Sequence, residues 1–448
     1  MKAGFWKEFT KKEIALIIAV FGICFAGAMI LPLKPCPDEG ARQLLSNWIF
    51  KTGTLPTGNE PETIIQSYGF SYALRPYLSA IVSALFMKIV SLFTNAPSAL
   101  MIASRMCSVC SITVCSVFCI KLGHKLFRKK NLPLIFAMFI CLMPQVLFLG
   151  MYQNNDSIAL ASVAIILYYF WQGYESHWSY KNCAGLAVGL SIALLSYYTI
   201  YAWILMCGIL VLISLLRDKE LSKAEVLKRL SLIAAICMLL AGWFFIRNAI
   251  YHNGDFLGTA TEWKIWEAVI ANGNKDHTYY SPWKEGVSLI TFLTEKEFYW
   301  LRITFMSVIG VFGNMDILNP AEMYGIYYAI ILAGILGCLM VVLNRKPEGK
   351  HRYLMGLMFC SSLATFLLHF IQSYYRDYEP QGRYIISILF FMSYMFAYAM
   401  EHLELRLSIN GRTDDGNLRN RLFTPDYIFI VIWLALLARS VITMRYML

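Results

Sequence analysis

The chain has 448 residues, of which 58% are hydrophobic and only 15% charged, with a mean hydropathy of +0.55. A soluble domain carries roughly 45–50% apolar and about 25% charged residues, and soluble cores stop growing at about 250–300 residues. The composition therefore excludes a soluble globular protein and leaves a polytopic membrane protein, whose net charge of +11 is explained by positive cytoplasmic loops without nucleic acid.

Runs long enough to cross about 30 Å at about 1.5 Å per residue predict spans over 12–33, 98–122, 131–149, 157–173, 182–198, 199–216, 229–250, 323–344, 353–375, 384–402 and 425–445. Two further runs, 77–94 and 300–318, are ambiguous: Lys88 lies inside the first, and Gly310, Gly313 and Asn314 break the second. The first run has no small-residue cleavage site after it, so it reads as a span and not a leader.

Loop charge decides the topology. With both ambiguous runs interfacial or re-entrant and the N-terminus inside, 23 of the 39 basic residues fall in short inside loops. If both crossed, the clusters at 121–130 and 217–229 would face outward, against the positive-inside rule. The expected fold is an all-α polytopic integral membrane protein with about 11 transmembrane helices (up to 13). Residues 1–448 form a single transmembrane domain with no separate soluble domain. The sizeable outer segments are 34–97, 251–322 and 376–383. Residues such as Trp48, Tyr72, Trp263, Tyr279 and Trp283 predict short interfacial helices on the outer face.

Eleven of the 12 cysteines lie in apolar runs, Cys36 being the exception. The Cys107–Cys110 spacing falls mid-span without a partner pair and reads as packing. The 7 histidines show no metal-ligand spacing.

Charges near membrane depth are costly and therefore informative. Four clusters come out at one face: Asp38-Glu39 after the first span; Asn155-Asp156 in a short turn; Arg247 with His252 and Asp255; and Gln381-Gly-Arg383-Tyr384. Arg105 sits near the outer end of its run. Each has a structural alternative: Asp38 and Asp156 as helix caps, Arg105 and Arg247 as snorkelling side chains, and Gly382-Arg383 as ordinary phosphate-headgroup anchoring at a helix start.

Taken in order, Pro37-Asp38-Glu39, Arg105, the Asn155-Asp156 turn, Arg247-Asn248 through Gly254-Asp255, Gly310-x-x-Gly313 and Gln381-Gly-Arg-Tyr384 resemble the motifs of the GT-C superfamily. These are membrane glycosyltransferases related to protein O-mannosyltransferases and aminoarabinose transferases. The resemblance implies a GT-C type fold and an inverting transfer of a hexosyl or pentosyl group from a polyprenyl-phosphate carrier. The acceptor is a hydroxyl of a cell-envelope glycan, lipid or protein, on the outward side of a bacterial cytoplasmic membrane. It implies Asp38 as base, with Glu39 and Asp156 orienting hydroxyls; Asp38, Glu39 and Asp156 are the carboxylates that would hold a divalent cation, a metal being permitted but not required. Arg383, Arg247 and Arg105 are implied donor-phosphate ligands. Asn155, His252, Asp255, Gln381 and Tyr384 flank them, and the Gly-broken stretch 309–316 would suit the wall of a lipid groove. The rival readings are a lipid-linked glycan polymerase or ligase, and a non-enzymatic lipid or polysaccharide flippase. A flippase should carry charges along a mid-membrane path, whereas here they gather at one face.

Overall fold

The computed structural model describes residues 8–32, 36–271, 280–345, 347, 349–403 and 425–447. Lys2, Lys7, Tyr279, Lys346, Arg406, Arg412, Arg419 and Arg421, which enter the loop-charge and aromatic arguments, lie outside the described residues. The helices in chain order are α1 (Lys11–Ile30), α2 (Glu39–Thr52), α3 (Leu78–Ser91), α4 (Pro97–Leu126), α5 (Leu132–Cys141), α6 (Pro144–Met151), α7 (Asp156–Glu175), α8 (Tyr180–Leu194) and α9 (Tyr201–Arg217). After these come α10 (Lys223–Cys237), α11 (Trp243–Tyr251), α12 (Thr259–Ala271), α13 (Leu289–Gly310), α14 (Ala321–Asn344), α15 (Gly349–Tyr375), α16 (Leu389–His402) and α17 (Pro425–Met444).

Among the described residues, nine helices are long and apolar enough to span a membrane, and a tenth span forms if the bent pair α5–α6 counts as one. α10 and α11 join through the π-helical stretch Met238–Gly242 into one of the nine. The run 131–149 is broken because Pro144 opens α6, and proline cannot continue the preceding helix; the halves meet at 60°. The run 182–198 becomes the 15-residue α8, only about 22 Å long. Neither ambiguous run is among the helices long and apolar enough to span. The first is the 14-residue α3; the second is the end of α13 followed by a two-stranded hairpin, β1 (Val311–Phe312) and β2 (Ile317–Leu318).

Every residue of α5 and α6 is buried, so the broken span forms the centre of the bundle. α4 packs around it against α1, α3 and α7. Side chains such as Leu216, Leu239, Leu343 and Val431 remain exposed on the outer helices, as lipid-facing surfaces require. Side chains serve the backbone where the hairpin begins: Val311 N–H donates to Gln145 Oε1 at 3.1 Å, and Gly310 O accepts from Tyr324 Oη at 2.6 Å and Asn319 Nδ2 at 3.0 Å.

Polar pairs distinguish the two ends of the bundle. At one end Lys121 pairs with Glu8 (3.2 Å), His124 with Glu13 (2.9 Å), and Asn131 Nδ2 donates to Asp426 (3.3 Å). The opposite end gathers the clusters expected at the outer face. There α2, α3 and α12 form a cap whose own small core, including Tyr72, Leu74, Tyr77, Phe244 and Trp266, is separate from the main one.

Candidate functional site

The chain leaves α1 and enters α2 through Asp38, which takes a left-handed backbone (φ 58°). Few non-glycine residues tolerate that region; aspartate is among them. The Asp38 side chain makes no cap. Its Oδ2 accepts from Arg383 Nη2 at 2.7 Å, with Arg42 Nη2 3.7 Å away. Burial works against the charge, but the guanidiniums of Arg383 and Arg42 outweigh it and hold the carboxyl at about 2. Asp38 is thus an ionised carboxylate clasped by two arginines.

Glu39 points the other way. It is fully buried and binds Arg105 in a fork, Nε to Oε1 at 2.8 Å and Nη2 to Oε2 at 2.7 Å, while Gln153 N–H adds a bond of 2.9 Å to Oε1. Arg105 spends its remaining donors on the carbonyls of Ala28 (2.9 Å), Leu31 (2.6 Å) and Pro32 (3.3 Å), at the end of α1. The pair fastens α1 to α2 and α4, and neither residue lines the cavity described below.

In the α6–α7 turn, Asn154, one residue before the N-cap Asn155, accepts Ser157 N–H on its Oδ1 at 2.9 Å. That frees Asp156: it is 1% exposed, and among the described residues neither carboxylate oxygen has a hydrogen-bond partner. Arg383 and Arg42 are near enough to act on its charge. Asn155 is an anchor, bonded to Ser79 Oγ and to Pro76 O (3.3 Å) at the start of α3. Arg383 itself is 5% exposed and also donates to Tyr384 Oη at 3.0 Å. Its Nε and Nη1 have no partner among the described residues.

Arg247, Asn248, His252 and Asp255 do not join this group. Arg247 donates to Tyr77 Oη, Pro56 O (2.5 Å) and Ala73 O (3.0 Å); Asn248 Nδ2 reaches Leu74 O (2.9 Å), and His252 Nε2 meets Thr57 O at 2.8 Å. Asp255 Oδ2 accepts Thr261 N–H at 2.7 Å. These residues latch the first loop onto α11 and the start of α12.

Above Asp38 opens a cavity of about 380 Å³. Tyr68, Tyr72, Trp263 and Trp266 form an aromatic wall, faced by His369, Asp377, Glu379 and Tyr384. Arg75 stacks on Tyr72 with its guanidinium 4.8 Å from the ring centre and grips Glu262 of α12 with two hydrogen bonds, one of them 2.7 Å. Burial pushes Asp377 up to about 6, and burial together with the Asp377 charge pushes Glu379 up to about 7. Gln381 closes the segment, its amide N–H bonded to Glu379 O at 2.8 Å and its Oε1 buried without a partner among the described residues.

Sequence reasoning missed Arg42, Arg75, Glu262, Asp377 and Glu379. Arg42 was findable, since it lies four residues after Asp38 on a helix. Asp377 and Glu379 stand in the short charged segment Arg376–Arg383. Arg75 and Glu262 are 187 positions apart, and nothing local links them.

Asp38, Glu39 and Asp156 do not fit one shared cation. Among the described residues, the group of three metal-ligating side chains whose ligand atoms all lie within 4.8 Å of one another is Cys115, Cys119 and Cys141; Glu39 is saturated by Arg105.

A family model described as a predicted membrane protein, DUF2142, matches residues 34–392. The chain belongs to the DUF2142 family. No curated protein matches it by sequence. By structure this family member is similar to ArnT from Cupriavidus metallidurans bound to undecaprenyl phosphate (TM-score 0.55, 14% identity, 88% of this chain and 61% of that one). It is also similar to the archaeal oligosaccharyltransferase AglB from Archaeoglobus fulgidus in complex with an inhibitory peptide and a dolichol-phosphate (TM-score 0.51, 12% identity, 99% and 56%). The chain spans about 60% of the length of these proteins. At such identity the likeness is one of fold: the chain is an integral membrane protein that shares its fold with these two proteins.

Proposed function

We propose that the chain is a single-domain membrane glycosyltransferase that moves a hexosyl or pentosyl group, with inversion, from a polyprenyl-phosphate carrier to an acceptor hydroxyl. The observation that carries this is the half-buried Asp38 clasped by the buried Arg383 and Arg42, with Asp156 partnerless among the described residues, beside an aromatic cavity in a GT-C type fold. Its solved neighbours bind undecaprenyl phosphate or dolichol-phosphate. Arg383 supplies the fork for a phosphate that gathers charge as it leaves. Asp38, expected as the base, instead holds Arg383 and Arg42 in place and offsets positive charge on the sugar carbon. Asp156 orients donor hydroxyls. The site faces away from the cytoplasm of a bacterial membrane, because basic residues such as Lys121, Lys125, Arg128 and Lys129 collect at the opposite end.

The test is a transfer assay in liposomes with undecaprenyl-phosphate hexoses and pentoses and cell-envelope acceptors. Wild type transfers one of them, and Asp38→Asn, with an unchanged melting temperature, loses about 10²–10³ in rate. Wild-type activity in the Asp38→Asn protein rejects the site.

A further inference from the structure

The glycosyl transfer proposed above needs a group to take the acceptor's hydroxyl proton. Asp38 is badly placed for that: its Oδ2 lies 2.7 Å from Arg383 and 3.7 Å from Arg42, and a carboxylate clasped by two cations is a weak base. Glu39 is bonded to Arg105 and lines no part of the cavity. Glu379 is different. It stands on the cavity wall beside the aromatic rings, in the stretch between α15 and the 3-10 turn Gly382–Ile388. Among the described residues no Lys, Arg or His forms an ion pair with it, and the hydroxyl of Tyr384 is near enough to act on its charge. That same hydroxyl accepts from Arg383 Nη2 at 3.0 Å. Tyr384, Arg383 and Asp38 thus form a hydrogen-bonded row, and Glu379 stands on the cavity wall with Tyr384 and Asp38.

We infer, on the basis of the transfer reading, that Glu379 is the general base, placed by Tyr384 in register with the arginine that holds the donor phosphate. The acceptor O–H gives its proton to a Glu379 carboxylate oxygen, and the freed electron pair forms the new bond to the anomeric carbon. The bond from that carbon to the carrier phosphate breaks, its pair leaving on the polyprenyl phosphate; Glu379 then releases the proton to water.

The surroundings suit this role. Asp377 and Arg376 come from the same segment, Arg383 and Tyr384 follow it, Asp38 precedes α2, and Tyr68 and Arg75 belong to the first loop. Tyr197 precedes α9, Glu262 lies on α12 and His369 on α15. Burial and the charges of Asp377 and Asp38 favour the neutral carboxyl, Arg383 and Tyr384 the ion, and the balance falls at about 7. A base poised there works near neutral pH.

The experiment measures kcat against pH for the full chain in liposomes, with whichever undecaprenyl-phosphate hexose or pentose wild type turns over. Wild type is expected to gain rate as pH rises through about 7, since the ionised form is the active one. Glu379→Gln is expected to lose about 10²–10⁴ of kcat and this limb, with the donor KM unchanged. Asp377→Asn removes a like charge and moves the midpoint to lower pH, a change a purely structural role would not produce. Asp38→Asn loses rate but keeps a limb. A Glu379→Gln protein with wild-type rate and limb overturns the inference. An unmoved midpoint in Asp377→Asn does the same, even if Glu379→Gln does not fold. A limb lost in Asp38→Asn and kept in Glu379→Gln returns the base to Asp38. If wild type moves no sugar at all, the transfer reading itself fails, and that failure shows before any variant is made.

Discussion

Arg383 is the residue on which the site turns. One of its nitrogens is spent on Asp38 and Tyr384, while Nε and Nη1 stay buried with no partner among the described residues. Hydrogen bonds to charged groups are worth about 1.5–3 kcal/mol. Arg383→Ala should therefore raise the apparent Kd for an undecaprenyl-phosphate sugar by roughly 10- to 100-fold; an unchanged Kd rejects its phosphate role. Glu39 and Arg105 predict the opposite pattern, because removing one partner of a buried ion pair costs about 3–5 kcal/mol. Glu39→Gln should lower the melting temperature sharply, and the Arg105→Leu/Glu39→Leu double variant should recover part of the loss. The neighbouring residues Asp38 and Glu39 look alike in sequence. One residue of helix phase turns the first toward the cavity and the second into the core.

At the scale of elements, the Gln381-Gly-Arg-Tyr384 motif works through its glycine. Gly382 crosses α13 so closely that a Cβ there would overlap Thr304 O and Val308 N, while its N–H donates to Ser307 Oγ. The close crossing fixes Arg383 beneath the cavity. Gly382→Ala must push the turn off α13, so it should cut transfer at least tenfold while donor-independent features such as expression persist; retained wild-type rate would reject this positioning. The broken span shows a similar economy: Pro144 ends α5, and α6 then delivers Tyr152, Gln153 and Asp156 to the site. The proline and glycine signals were legible in the sequence. What they aim was not, because each acts on a partner more than 70 residues away.

Across the whole molecule, one end carries the basic loops and the other the acid–arginine cluster, and the orientation is open to direct test. Asn253→Cys, exposed beside α11, should react with a thiol reagent that cannot cross the membrane, whereas Lys130→Cys, exposed at the opposite end, should react only after permeabilisation. The reverse labelling overturns the outward-facing site. Cys36 is no natural probe: although it lies in a polar stretch of sequence, it is 4% exposed, with its Sγ against Pro32 O.

Composition, run length and loop charge by themselves determined that the chain is a helical membrane protein, where most of its long apolar helices lie and which clusters share a face, since water and lipid sort apolar stretches and charges over local windows. Only the tertiary structure decided what each charge does. The cost of burying a charge singles out Asp38, Glu39, Asp156, Arg105, Arg247 and Arg383 alike, but partnership depends on residues tens to hundreds of positions away. Arg105 was answered by Glu39, Arg247 by the first loop, Arg75 by Glu262. What remained was Asp38 between two arginines and Glu379 on the cavity wall, with Asp156 buried without a partner among the described residues.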